Sequence, residues 1–152
     1  MSLYCGGAIY GSNSMVKAFC ENSVFCLGWD EEEAPTLYEV LKEVSLGDYF
    51  AIKSFSPNDG LRIKAVGIVT DPAIRKMPNG LGWGIDVEWV WHYWGPDDLI
   101  IEGNSVQHIG RMDDKWDNVR VATLYKEYNV ELIDFVFRTI LEKKPPVDFW
   151  ED

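Results

Sequence analysis

The chain has 152 residues, of which 47% are apolar and 14% aromatic, and it carries a net charge of −11. This apolar share excludes a disordered chain and suits one domain that needs no disulfide or metal to fold. The excess of 25 acidic over 14 basic residues disfavours sequence-independent binding to a phosphate backbone or an anionic membrane surface, but not one base held by stacking, which has no charge requirement.

Residues Gly7 to Ser12 read as a first short strand ending in a turn. Ser12-Asn13-Ser14 is a helix-start signal, with Ser14 as N-cap of a helix over 15–21. The turn either caps that helix and nothing more, or points polar groups into a pocket. Val24 to Gly28 is a continuous apolar run, expected as a strand buried on both faces, and Trp29 stands at its mouth. The run Asp30-Glu31-Glu32-Glu33 reads as a solvated loop ahead of a metal site, because no His or Cys converges on it.

Thr36-x-x-Glu39 is a capping box, and Leu37, Val40, Leu41 and Val44 form one apolar helical stripe. Gly47-Asp48 delivers a strand over 49–55, and Ser56-Pro57-Asn58-Asp59-Gly60 turns it back as a hairpin. In the returning strand Leu61, Ile63, Ala65, Gly67 and Val69 alternate onto one face; Gly67 marks a bulge, a barrel bend or the close approach of a ligand. Thr70 to Gly82 reads as a loop, since Pro72 and Pro78 oppose a long element. Trp83 to Tyr93 is the longest strand candidate, with Ile85, Val87, Trp89 and Trp91 on one face. The segment 103–118 reads as a polar loop. Val119 to Leu124 closes the sheet, and Asn129 caps a last helix whose apolar face is Ile133, Val136, Phe137, Ile140 and Leu141. Pro145-Pro146 ends it, leaving 142–152 as a tail.

Cys5, Cys20 and Cys26 are an odd set without a CxxC and read as buried free thiols of a reducing cytoplasm, with a disulfide or a reactive thiol as the alternative. No signal peptide is expected, and no apolar run approaches the ~20 residues of a membrane span. Nucleophile-elbow, P-loop, zinc-protease and dinucleotide motifs are absent. His92, Asp86 and Glu88 read as strand polar groups ahead of an acid–base site. No catalytic residue, metal or cofactor is assigned. What stands out is seven tryptophans, more than one core of this size absorbs with ease, which points to an aromatic pocket.

The runs Phe25-Cys26-Leu27-Gly28-Trp29, Leu46-Gly47-Asp48-Tyr49, Ala65-Val66-Gly67-Ile68-Val69 and Val87-Glu88-Trp89 resemble the EVE-like branch of the PUA superfamily, whose relatives include the YTH readers of methylated adenine. The run Leu124-Tyr125-Lys126-Glu127-Tyr128-Asn129 is similar to versions found beside modification-dependent restriction systems. The resemblance spans about residues 8–141 of a single domain over 1–152. It implies an α+β fold, a small bent PUA-like β-barrel with helices packed at its openings. It also implies a non-enzymatic module that holds a modified nucleobase, or a nucleotide-like ligand, in an aromatic cage. On this chain Trp29 is then a cage wall, Ser12, Asn13 and Ser14 hydrogen-bond the base edge, and Lys53 and Trp89 flank the cavity. Partners on this reading are modified nucleic acid or a nucleotide-like small molecule, and Arg62, Lys64, Arg75 and Lys76 form the one plausible basic cluster on this acidic chain. The rival reading is an acidic protein-interaction or oligomerisation domain of a mobile-element accessory protein, a homodimer joined through Trp94, Trp116, Phe149 and Trp150.

Overall fold

The computed structural model describes residues 1–56, 60–92 and 122–142. In chain order the elements are β1 (Leu3–Gly6), β2 (Ile9–Tyr10), β3 (Asn13–Ser14), α1 (Val16–Asn22), β4 (Val24–Leu27), α2 (Pro35–Glu43), β5 (Tyr49–Ser56), β6 (Gly60–Met77), β7 (Gly82–His92), β8 (Leu124–Glu127) and α3 (Val130–Glu142). The class is α+β, as expected. Six strands form one sheet in the order β4-β7-β6-β5-β1-β8, and β2 pairs with β3 in a separate small hairpin. All neighbours in the large sheet are antiparallel except β1 and β5, which run parallel. Among the described residues β4 and β8 end the sheet. No described helix is long and apolar enough to cross a membrane. The expectations for His108, Trp94, Trp116, Pro145-Pro146, Phe149 and Trp150 lie outside the described residues.

The sheet buries both faces. One carries Tyr4, Phe50, Ile52, Ala65, Val69, Ile85 and Val87 and is covered by α1 (Val16, Phe19) and α2 (Tyr38, Leu41). The other carries Leu3, Cys5, Tyr49, Ala51, Ile63, Val66, Trp91 and Tyr125 beneath α3, which packs Leu132, Val136 and Ile140. Phe19, Phe25 and Phe50 are fully buried, each contributing about 1.5–3 kcal/mol over exposure.

Two β-bulges reassign faces that simple alternation predicts wrongly. Ile52 pairs with Ala65 but Lys53 with Ile63, so Lys64 is an extra residue in β6. Leu61 and Ile63 therefore join the core under α3, while Ala65 and Val69 join the opposite one. On β7, Trp91 pairs with Val66 and Trp89 with Gly67, which makes Val90 the extra residue. Trp89 and Trp91 thus point to opposite faces instead of sharing one. Gly67 sits at this bulge: a side chain there would lie 2.5 Å from the Glu88 carbonyl oxygen, so the close approach is β7's own backbone.

Other expectations are corrected at element ends. β1 begins at Leu3, ahead of the predicted 7–12 strand. The 70–82 loop is instead largely strand, because β6 continues to Met77. Pro72 is tolerated there since it falls in the irregular register between Asp71 and Arg75, where the ladder is already broken. Ser14 does reach the start of α1, its Oγ accepting the Val16 N–H at 3.4 Å, although the residue flanking the helix is Met15. The capping box expected at Thr36 does not form, since α2 starts at Pro35 and its capping position makes no side-chain bond. At α2 the proline at the first position lacks an N–H to satisfy. Asn129 does cap α3, its Oδ1 accepting the Leu132 N–H at 3.0 Å. The face of α3 is rotated toward Leu132, leaving Leu141 64% exposed.

Asp48 ties the chain's start to the sheet. Its buried carboxylate accepts the Ser2 N–H at 3.1 Å and the Ser45 N–H at 2.9 Å. The Tyr49 N–H then reaches the Ser2 carbonyl, and the Val69 N–H the Asp48 carbonyl. Asp48→Ala is expected to lose about 2–3 kcal/mol in denaturant unfolding, since it strands two donors, and Asp48→Asn less, since one acceptor remains.

Candidate ligand-binding site

The β6–β7 turn holds Asn79 at φ 62° and Gly80 at φ 72°, the left-handed pair that a tight hairpin requires. That turn sets the register Lys76↔Trp83, and β4 adds Leu27↔Trp83 on the other side. The end of β4 therefore arrives beside Trp83 and hands the chain to the acidic turn at 30–33. This turn closes on itself through Glu33 N–H to the Asp30 carbonyl, 3.0 Å, and Asp30 N–H to Glu33 Oε1, 2.9 Å. Helix α2 pins it twice: the Tyr38 hydroxyl donates to the Trp29 carbonyl at 2.5 Å, and Lys42 Nζ lies 2.5 Å from Glu31 Oε2.

Between these parts lies a cavity of about 590 Å³, lined by Asp30, Glu31, Glu32, Tyr38, Lys42, Ile74, Lys76 and Trp83. That volume falls within the usual range for small-molecule sites, roughly 300–1,000 Å³. Trp83 is 38% exposed, so a ring face remains available to a ligand. Burial first, then the charges of Asp30 and Glu31, push the Tyr38 phenol above its ordinary pKa, so it remains a protonated donor to Trp29.

The structure separates the residues that sequence reasoning grouped. Trp29 is 42% exposed and its carbonyl accepts from Tyr38 of the lining, but Trp29 itself is not in the lining. Ser12, Asn13 and Ser14 lie exposed on the β2–β3 hairpin. Tyr10 anchors that hairpin nearby, its hydroxyl donating to the Leu81 carbonyl at 2.6 Å and its ring packing 3.0 Å from where Gly28 would carry a side chain. Trp89 packs edge-on to Phe50 and donates Nε1–H to the Val24 carbonyl at 3.0 Å. It is a wall of the core beneath α1 and α2, not of the cavity.

Lys53 belongs to the opposite face. It is 6% exposed, donates to the Ala122 carbonyl at 2.7 Å and lies 5.3 Å from the Tyr125 ring centre. The Arg62 side chain of the expected basic cluster lies outside the described residues, and the other three members do not gather at the cavity. Lys64 is buried at its bulge, Arg75 is held by Asp86 at 2.6 Å and Asp71 at 3.9 Å, and of the described cluster members only Lys76 reaches the cavity. The thiols of Cys20 and Cys26 are both pushed up to about 12 by burial, which leaves them protonated and unreactive; no disulfide joins the three cysteines. No group of three or more metal-ligating side chains occurs among the described residues.

Sequence reasoning missed Trp83, Ile74, Lys76 and Tyr38 as lining residues. The Asn79-Gly80 turn was a signal for Lys76 and Trp83, but their meeting with the 30–33 turn depends on a strand pairing remote in sequence. No protein-family model, curated protein or solved structure matches the chain.

Burial pushes the Lys53 ammonium down to about 8 from 10.5. The folded state therefore binds fewer protons than the unfolded state between those values, and Lys53's contribution to stability rises with pH there. Measured against Lys53→Met by unfolding at successive pH values, wild type is expected to gain about 2–3 kcal/mol across the window from pH 8 to 10.5.

Proposed function

We propose that this chain is a non-enzymatic binding module of PUA/EVE-like build, its bent sheet a PUA-like barrel, and that the cavity beside Trp83 receives a modified nucleobase or nucleotide-like ligand. The observation that carries the reading is a cavity of about 590 Å³ with a half-exposed tryptophan in its lining, adjoining the Gly28-Trp29 strand end that the family likeness singles out. The bulges that bend β6 and β7, and the packing of α1 and α2 on one sheet face, support the barrel reading. On this proposal Trp83 stacks on the base and Trp29 stands at the rim. Trp89 and Lys53 hold the two cores and contact no ligand.

Calorimetric and fluorescence titration with a panel of methylated nucleosides and short methylated oligonucleotides tests this. Trp83→Ala is expected to weaken binding about ten- to a hundredfold, the loss of a base–aromatic contact of about 1–3 kcal/mol. Trp89→Ala is expected to lower thermal stability instead. No response at millimolar ligand, or unchanged affinity in a folded Trp83→Ala protein, overturns the proposal.

A further inference from the structure

The cavity's charges are uneven. Three carboxylates, Asp30, Glu31 and Glu32, line it with two ammonium groups, Lys42 and Lys76. Lys42 is matched by Glu31 at 2.5 Å, so this pair offers a ligand little net charge. Asp30 and Glu32 then face Lys76 alone. Arg75, next to Lys76 in sequence, is held by Asp86 and Asp71 and is not part of the lining. The chain's charge of −11 adds a field of the same sign, which concentrates cations near such a cleft and repels anions.

The aromatic wall favours the same ligand. An indole face attracts a cation more strongly than any other side-chain ring, and Trp83 is 38% exposed at this cavity. The Tyr38 hydroxyl already donates its one hydrogen bond to the Trp29 carbonyl, so it is not a donor for a phosphate or a carbonyl on the ligand. Carboxylates and an indole face together suit a flat ring that carries positive charge.

We propose that the cavity selects a flat heteroaromatic cation, such as a nucleobase made cationic by methylation of a ring nitrogen, over neutral bases of the same size. This rests on the ligand cavity proposed above and names the charge class of its occupant. The probes are 1-methyladenosine, cationic near neutral pH, and its neutral isomer N6-methyladenosine, which have the same methyl count and similar area. The cation is expected to bind at least about tenfold tighter at low salt, with the advantage shrinking as salt screens the exposed carboxylates. Glu32→Gln is expected to weaken the cation about threefold and Lys76→Gln to tighten it by a similar factor, both leaving the neutral isomer within about twofold. Equal affinity for the two isomers, or charge variants that move both alike, overturns the charge preference while the ligand cavity stands. If neither isomer binds at millimolar concentration this inference fails, and the wider panel decides separately whether the cavity binds a base at all.

Discussion

The Phe25 ring fills the space that Gly6 leaves empty, and much of the molecule is arranged around that contact. A methyl group on Gly6 would overlap the ring. With the glycine in place, Phe25 reaches from β4 to β1 and meets Phe50 at 4.4 Å between ring centres. From there the rings continue outward, Phe19 against Phe25 at 5.6 Å and Tyr10 against Phe19 at 5.9 Å, while Trp89 stands edge-on to Phe50 on the other side. Dispersion and edge-to-face attraction along this series fix α1 and the small hairpin against the sheet face that Trp89 of β7 shares. The Tyr10 end of the series is the one that anchors the hairpin beside Gly28 and Leu81, next to the cavity.

A sheet covered on both faces imposes a second constraint. Every side chain on the central strands must find the correct side, and strict alternation does not deliver this. The extra residues Lys64 and Val90 correct it by one position each. They also separate roles that look alike in sequence. Trp89 belongs to the aromatic series, Trp91 to the core beneath α3, and only Trp83, at the beginning of the same strand, lines the cavity.

The cavity is held by fixed parts more than by its own packing. Tyr38 and Lys42, one helical turn apart on α2, grip the acidic turn at the Trp29 carbonyl just ahead of it and at the Glu31 carboxylate within it. Both exposed members of the Lys42–Glu31 pair are accessible to water, so that pair positions the turn more than it stabilises the fold. The buried Tyr38 bond is the firmer of the two. Together they let a run of like charges stand beside an indole face, an arrangement that repulsion among the carboxylates opposes.

Much of the fold is determined locally and is legible in the residues. The apolar run Val24–Leu27, the stripe around Leu41, the Gly47-Asp48 turn, the Asn79-Gly80 turn and the Asn129 cap each carry their reason within a few positions. So does the α+β class, because periods of two and of 3.6 residues follow from backbone geometry alone. What only the tertiary structure decided is pairing between distant strands. The start of β1 at Leu3, the persistence of β6 past Pro72, the bulges at Lys64 and Val90, and the register Leu27↔Trp83 follow from which strand lies alongside, and no local preference encodes that neighbour. The candidate site shows the same division. Trp29 at a strand end and the acidic turn are visible in the sequence, whereas the choice of Trp83 over Trp89 as the cavity's aromatic wall, and the removal of Lys53 to the far face, arise from long-range register and burial on a two-sided sheet.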